Sequence, residues 1–223
     1  MKKALIPIIG IGILYFLLSE KKVGKMIRKE DVDKIKNYLK QTYKLSIDNP
    51  TLVGLRGALP DENGVLRANS NDINHWNDSL LIITKSNAYF FLGTIDPGRF
   101  YVNNPMSSEG TAQIQPGLYQ YTKGYHGYSK HGTKYPAFVP YSNIIIKRDG
   151  NKDSIWNNQD KNFTGKFGIN IHAQFNKGEV EKNSAGCTVV NSLWGSPTWK
   201  QFYDLLKNET KFNYIVLDGK EIV

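Results

Sequence analysis

Beyond Pro50, turn-forming residues divide the chain into short apolar runs, and this punctuation constrains the fold more than any other feature. The runs 79–86 and 88–94 meet at Ser86-Asn87 and predict a hairpin. A β-branched run ends in Asp149-Gly150, which is a strong turn signal, and residues 213–223 predict a final strand or hairpin. We therefore expect a mostly β fold (β-rich α+β) with few helices.

One helix is clearly predicted near the end of the chain. Ser196 is a good N-cap residue, and Pro197 fits the first helical position. The apolar residues that follow are spaced as on one face of a helix: Trp199, Phe202, Leu205 and Leu206.

The N-terminus carries a short hydrophobic run. Residues 4–19 are uncharged, follow two lysines and lead into no small-residue cleavage site. The run is slightly shorter than the about 17–25 residues of a usual membrane-spanning helix. It predicts that residues 1–21 are a membrane anchor or signal-anchor, with residues 4–19 in a lipid membrane. The lysines after the run would place the rest of the chain in the cytoplasm by the positive-inside rule, which conflicts with a role in the envelope.

The positive charge of the chain is concentrated in its first part. Residues 1–45 carry eleven Lys/Arg and four Asp/Glu, so +7 of the net +9 lies there. The remainder has no basic stripe, so we expect no binding of nucleic acid. Residues 22–50 predict a basic amphipathic helical linker before a domain at 51–223. This helix could lie on a membrane, pair with a partner helix or act as a spacer.

The single cysteine lies in "GINIHAQFNKGEVEKNSAGCTVVNS", residues 168–192. His172 ends an apolar run in the same stretch, so it could meet Cys187 across adjacent strands. Gly186 would let the backbone turn so that amide groups face a developing oxyanion. The spacing alone fits two hypotheses equally, a thiolate nucleophile with its base and a buried cysteine with an unrelated histidine.

The order strand-histidine, polar loop and Ser-x-Gly-Cys resembles the active-site signature of the YkuD-type L,D-transpeptidase catalytic domain. The stretches "QPGLYQY" and "FGINIHA" are similar to further motifs of this family, and "GLRGALPDENG" resembles a phage-associated branch. The resemblance covers most of residues 52–218 and is most specific in 167–190. It departs at Ala185, usually histidine, and at Val189, usually asparagine or arginine. It implies a YkuD-like β-sandwich or barrel.

The resemblance also implies roles for individual residues. Cys187 would be the nucleophile and His172 its base, with the histidine oriented by the backbone carbonyl of Ala173. The amides of Gly186 and Cys187 would form the oxyanion hole, and Ser184 would shape the turn and bind a substrate amide. No metal or other cofactor is implied.

A second segment, residues 124–141, is rich in tyrosine, glycine and proline. It could form a wall or lid of the substrate groove, in which Tyr125 and His131 bind substrate, or a surface loop packed on the sheet. A metal site built on His126 and His131 is disfavoured because no adjacent carboxylate or cysteine completes it.

The implied function is cysteine-dependent acyl transfer or hydrolysis on peptidoglycan stem peptides. The enzyme would be membrane-anchored, in the cell envelope on its periplasmic side or in a virion membrane, and cellular or phage-encoded. The alternatives are a non-catalytic virion or envelope protein that binds peptidoglycan with the same fold, and a thiol peptidase that acts on proteins.

Overall fold

The structure, a computed structural model, describes residues 27–127, 132 and 134–223. In these residues the fold is mostly β, as the sequence predicts, with three α-helices and a closed eight-stranded barrel. The helices are α1 (Lys29–Tyr43), α2 (Arg99–Asn103) and α3 (Pro197–Leu206). The strands are β1 (Thr51–Arg56), β2 (Ala58–Pro60), β3 (Leu66–Ala68), β4 (Asp78–Ile83), β5 (Ala88–Thr94), β6 (Thr111–Ile114), β7 (Gly117–His126), β8 (Tyr135–Pro140), β9 (Ile144–Asp149), β10 (Lys161–Gly165), β11 (Ile171–Gln174), β12 (Thr188–Leu193) and β13 (Phe212–Asp218).

The barrel closes in the order β1-β13-β7-β8-β11-β12-β5-β4. Two neighbouring pairs are parallel, β1 with β13 and β11 with β12, and the other pairs are antiparallel. The predicted hairpin is confirmed, because β4 and β5 pair across the turn that contains Ser86-Asn87. A three-stranded sheet, β10-β9-β6, and a small β2-β3 pair lie outside the barrel order.

A buried arginine connects the barrel to the three-stranded sheet. Arg56, at the end of β1, donates from Nε to Oδ1 of Asp96 at 2.9 Å and from Nη2 to the carbonyl oxygen of Ile114 at 2.5 Å. Gln113 of β6 donates to the same Asp96 carboxylate at 2.9 Å. Arg56 also donates from Nη1 to Oδ1 of Asp218 at 3.2 Å, and Asp96 also accepts from the side-chain amide of Asn71 at 2.8 Å. The side chains of Arg56 and Asp96 are 6% and 5% exposed, so both charges depend on their partners.

Replacing Asp96 by alanine is therefore expected to destabilise the protein by about 3–5 kcal/mol, because it leaves the Arg56 charge buried without its main partner. The free energy of unfolding, measured in urea, checks this. Asp204→Ala is the matched control, since the ion-pair partners of Asp204 among the described residues are the exposed Lys200 and the half-buried Lys207. An equal loss in the two variants would show that the Arg56 pair contributes no more than a surface pair.

Helix α1 packs against the barrel, although the sequence left its contact open. Its buried residues Val32, Ile35 and Leu39 belong to one core cluster with β-strand residues such as Leu81 and Ile215. The opposite faces of β1 and β4 belong to a second cluster around Tyr214 and Phe202. Strands β1 and β4 are thus buried along their whole length, which explains the uncharged, largely apolar runs 52–55 and 80–83 within them.

The helix predicted near the C-terminus is confirmed as α3. The hydroxyl of Ser196 accepts a hydrogen bond from the backbone N–H of Trp199 at 3.2 Å, and Pro197 is the first helical residue. Trp199, Phe202 and Leu206 are buried.

The predicted anchor, residues 1–21, lies outside the described residues. Within the described part of the chain, none of the helices is long and apolar enough to cross a membrane.

Candidate active site

Parallel pairing of β11 and β12 brings His172 and Cys187 together. His172 lies opposite Val189 in the register of the two strands, and Cys187 directly precedes β12. The backbone N–H of Thr188 donates to the carbonyl oxygen of Asn170 at 3.0 Å, which holds the start of β12 beside the start of β11. The expected meeting across adjacent strands is therefore present in the fold.

His172 is fully buried, and one hydrogen bond and two ring contacts hold its imidazole. Its Nδ1 donates to the carbonyl oxygen of Ala173 at 2.7 Å, the contact that the resemblance implied. The ring stacks on Trp194, with centroids 5.5 Å apart and an interplanar angle of 4°, and lies 4.0 Å from the ring of His126. Because Nδ1 carries the proton, Nε2 presents its lone pair. Among the described residues it has no hydrogen-bond partner.

Cys187 is 5% exposed and lies beside the imidazole of His172. Its Sγ and one ring nitrogen each of His126 and His172 all lie within 4.8 Å of one another. In this conformation the thiol donates to the carbonyl oxygen of Gly168 and accepts from the backbone N–H of Asn170, both at 3.4 Å. The thiol and imidazole are close enough for proton transfer after a small approach, which is common before substrate binds.

Burial favours the neutral form of both groups. It raises the pKa of the Cys187 thiol to about 11, against which the N–H of Asn170 acts weakly. Burial, together with the neighbouring His126, lowers the pKa of His172 to about 3, so its imidazole is neutral at pH 7. The pair is consequently a neutral thiol beside a neutral imidazole, rather than a thiolate with an imidazolium.

This state predicts an unusual pH profile for alkylation of the thiol by iodoacetamide. Because only the thiolate reacts, the rate is expected to rise about tenfold per pH unit from 7 to 10, without a plateau near the ordinary thiol pKa of about 8.5. The rate is measured by mass spectrometry with a chelator present, and the chain contains only one cysteine. A plateau below pH 7 would instead indicate a preformed thiolate.

The turn before Cys187 is held by one hydroxyl. Ser184 Oγ accepts from the backbone N–H of Gly186 at 3.1 Å and donates to the carbonyl oxygen of Cys187 at 2.8 Å. The expected role of Ser184 in shaping the turn fits this geometry, but its buried hydroxyl is committed to the backbone rather than directed at a substrate amide. The Gly186 amide is likewise occupied, which leaves the Cys187 amide as the expected oxyanion donor.

Gly186 also has a backbone conformation that other residues rarely adopt. Its φ is 115°, and a Cβ added there would lie 2.4 Å from the carbonyl oxygen of Ala112. The turn can thus pass close to β6 only because this residue has no side chain.

The second predicted segment contributes a different residue from those expected. Tyr125 is 52% exposed on β7 and does not line the cavity at Cys187. His126 does, and the side-chain amide of Asn170 lies 3.1 Å from its Nδ1. His131 lies outside the described residues. His126 therefore lies near Cys187 in the fold, and spacing in the sequence could not show this cysteine partner.

The site opens into a cavity of about 560 Å³, a size typical of small-molecule sites. Apolar groups form part of its wall, including Phe167, Ile169 and Phe175. Among its described lining residues the side chains with a permanent charge are Arg148 and Lys182, and none is Asp or Glu. This arrangement favours an anionic ligand.

No protein-family model matches the chain, and neither the curated proteins nor the solved structures include a significant match.

Proposed function

We propose that the protein is a peptidoglycan-acting cysteine acyltransferase or hydrolase of the L,D-transpeptidase type. The observation that carries this proposal is a cysteine beside a neutral, tautomer-fixed histidine at the wall of a cavity. The motif resemblance in residues 167–190 supplies the substrate class. Stem peptides bear free carboxylates, which suits a cavity whose charged lining side chains are Arg148 and Lys182.

The residues define a balanced reaction. Sγ of Cys187 attacks the carbonyl carbon of the L-centre of a diamino acid, and its proton moves to Nε2 of His172. The amide of Cys187 stabilises the oxyanion. Collapse of the tetrahedral intermediate breaks the C–N bond, and His172 returns the proton to the departing D-alanine amine. An amine or water then attacks the thioester, which gives a cross-link or a hydrolysed peptide and restores the thiol.

The Ala173 carbonyl has a positioning role in this scheme. By accepting the Nδ1 proton at 2.7 Å, it keeps the Nε2 lone pair free for the thiol and stabilises the imidazolium that forms during attack. Trp194 limits rotation of the ring by stacking on it. The uncharged run at residues 4–19 supports a location at an envelope or virion membrane.

Two observations favour the non-catalytic alternative, a structural protein that binds peptidoglycan. The thiol is buried with a raised pKa, and the Gly186 amide is occupied by Ser184. In that case the cavity would hold a stem peptide without acyl transfer.

Product analysis separates the two functions. The full chain is incubated with tetrapeptide stem fragments, and released D-alanine, tripeptides and cross-linked dimers are measured by liquid chromatography and mass spectrometry. We expect release of D-alanine that disappears in Cys187→Ala. If wild type and Cys187→Ala both bind the fragments and neither releases D-alanine, the structural role is favoured. If wild type neither binds the fragments nor releases D-alanine, the peptidoglycan assignment is contradicted.

A further inference from the structure

The cluster formed by His126, His172 and Cys187 has the composition of a soft-metal site. Two imidazoles and one thiol present ligand atoms that all lie within 4.8 Å of one another. Imidazole and thiolate together are donors that Zn²⁺ prefers. Spacing in the sequence does not reveal these three ligands as a group, because they come from β7, β11 and the turn before β12.

An independent observation indicates that the cluster is directed at a ligand. Nε2 of His172 is buried and, among the described residues, has no hydrogen-bond partner. A buried nitrogen lone pair without a partner is costly, and a metal ion would satisfy it. The opposite nitrogen donates to the Ala173 carbonyl, which is the outer contact that metal-binding histidines usually make.

The surroundings of the three side chains are compatible with coordination of a metal ion. The side-chain amide of Asn170 lies 3.1 Å from Nδ1 of His126. If His126 coordinates the ion through its Nε2, its Nδ1 carries the proton, and the contact is kept once the carboxamide turns so that its oxygen accepts from Nδ1–H. Zinc bonds of about 2.0–2.3 Å place tetrahedral ligands about 3.5 Å apart, so the three groups must approach by about 1 Å. The cavity provides space for a fourth ligand, and the nearby Arg148 and Lys182 favour an anionic one.

We propose that His126, His172 and Cys187 bind Zn²⁺, and that the bound ion blocks acyl transfer. Binding forms one Zn–S and two Zn–N bonds, breaks the S–H bond and releases that proton to solvent, with no change of oxidation state. The ion occupies the nucleophile and the base at once, so the zinc-bound protein cannot attack a carbonyl. This inhibition rests on the proposed function, whereas the metal site itself does not.

Cobalt titration of the full chain tests the site, because Co²⁺ replaces Zn²⁺ and reports its ligands in the absorption spectrum. We expect one equivalent to bind with a sulfur-to-cobalt charge-transfer band. That band should be lost in Cys187→Ser, and the Co²⁺ affinity should fall by at least about 10–100-fold in His126→Ala. His75→Ala is the matched control, since His75 is exposed and its ring contacts the Ile73 carbonyl of its own loop at 3.1 Å.

Circular dichroism of each variant separates loss of the site from loss of the fold. Absence of the charge-transfer band, or equal Co²⁺ affinity in wild type and a folded His126→Ala, would overturn the metal site. The inhibition is tested by carbapenem acylation, which should stop with equimolar Zn²⁺ and recover with a chelator. Acylation that persists in the Zn²⁺-bound protein would overturn it. No acylation even without metal would instead contradict the proposed function and leave the metal site standing.

Discussion

Replacing His172 by glutamine is expected to slow acylation of Cys187 by a carbapenem about 10²–10⁴-fold, the usual contribution of a general base. Glutamine is polar and can still donate to the Ala173 carbonyl, but it cannot accept the thiol proton. Because the thiol pKa is raised to about 11, little thiolate exists at pH 7 without that base. The rate of adduct formation, followed by mass spectrometry, measures the effect.

His75→Gln provides the control for this experiment, since it makes the same change on the surface. It should acylate at the wild-type rate. Thermal unfolding of His172→Gln establishes that the variant is folded under the conditions of the assay. A folded His172→Gln that acylates as fast as wild type would remove His172 from the mechanism.

Replacing Gly186 by alanine is the second change with a large expected effect. The left-handed φ of 115° costs about 1–3 kcal/mol for alanine. The new Cβ would also lie 2.4 Å from the Ala112 carbonyl oxygen, and relieving such a clash adds about 1–3 kcal/mol. Any shift of the turn moves the Cys187 amide, so we expect acylation to fall about 10²–10³-fold as well.

Gly178→Ala separates conformational strain from the clash. Gly178 has nearly the same φ, 110°, but a Cβ there would meet nothing within 4 Å. It should lose only the conformational part of the stability and keep the wild-type acylation rate. Urea unfolding and the adduct assay measure both quantities. Equal stability losses in the two variants would show that the close approach of the turn to β6 adds nothing to the cost of a side chain at residue 186.

Features with a local cause could be predicted from the sequence. The hairpin at Ser86-Asn87 and the cap of α3 at Ser196 each depend on residues within a few positions. The packing of α1 could not be predicted in this way. Its stripe of Val32, Ile35 and Leu39 shows that one face is apolar, but the surface it covers comes from strands far along the chain.

The site shows the same limit at the level of single side chains. In β7 the buried positions Tyr119 and Tyr121 suggest that Tyr125 faces inward as well, yet the exposure alternation changes after Tyr121 and directs Tyr125 outward. This change places His126 at the cavity, with no signal in the sequence. The occupied amide of Gly186 could not be foreseen either, because it depends on the rotamer of Ser184.

We propose that Cys187 is an activated nucleophile in a site that accepts acyl groups. Mass spectrometry of the full chain after incubation with a carbapenem, in the presence of a chelator and beside Cys187→Ala, tests it most directly. We expect one covalent adduct per chain in wild type and none in the variant. Folded wild-type protein that forms no adduct, or an adduct that persists in Cys187→Ala, would contradict it.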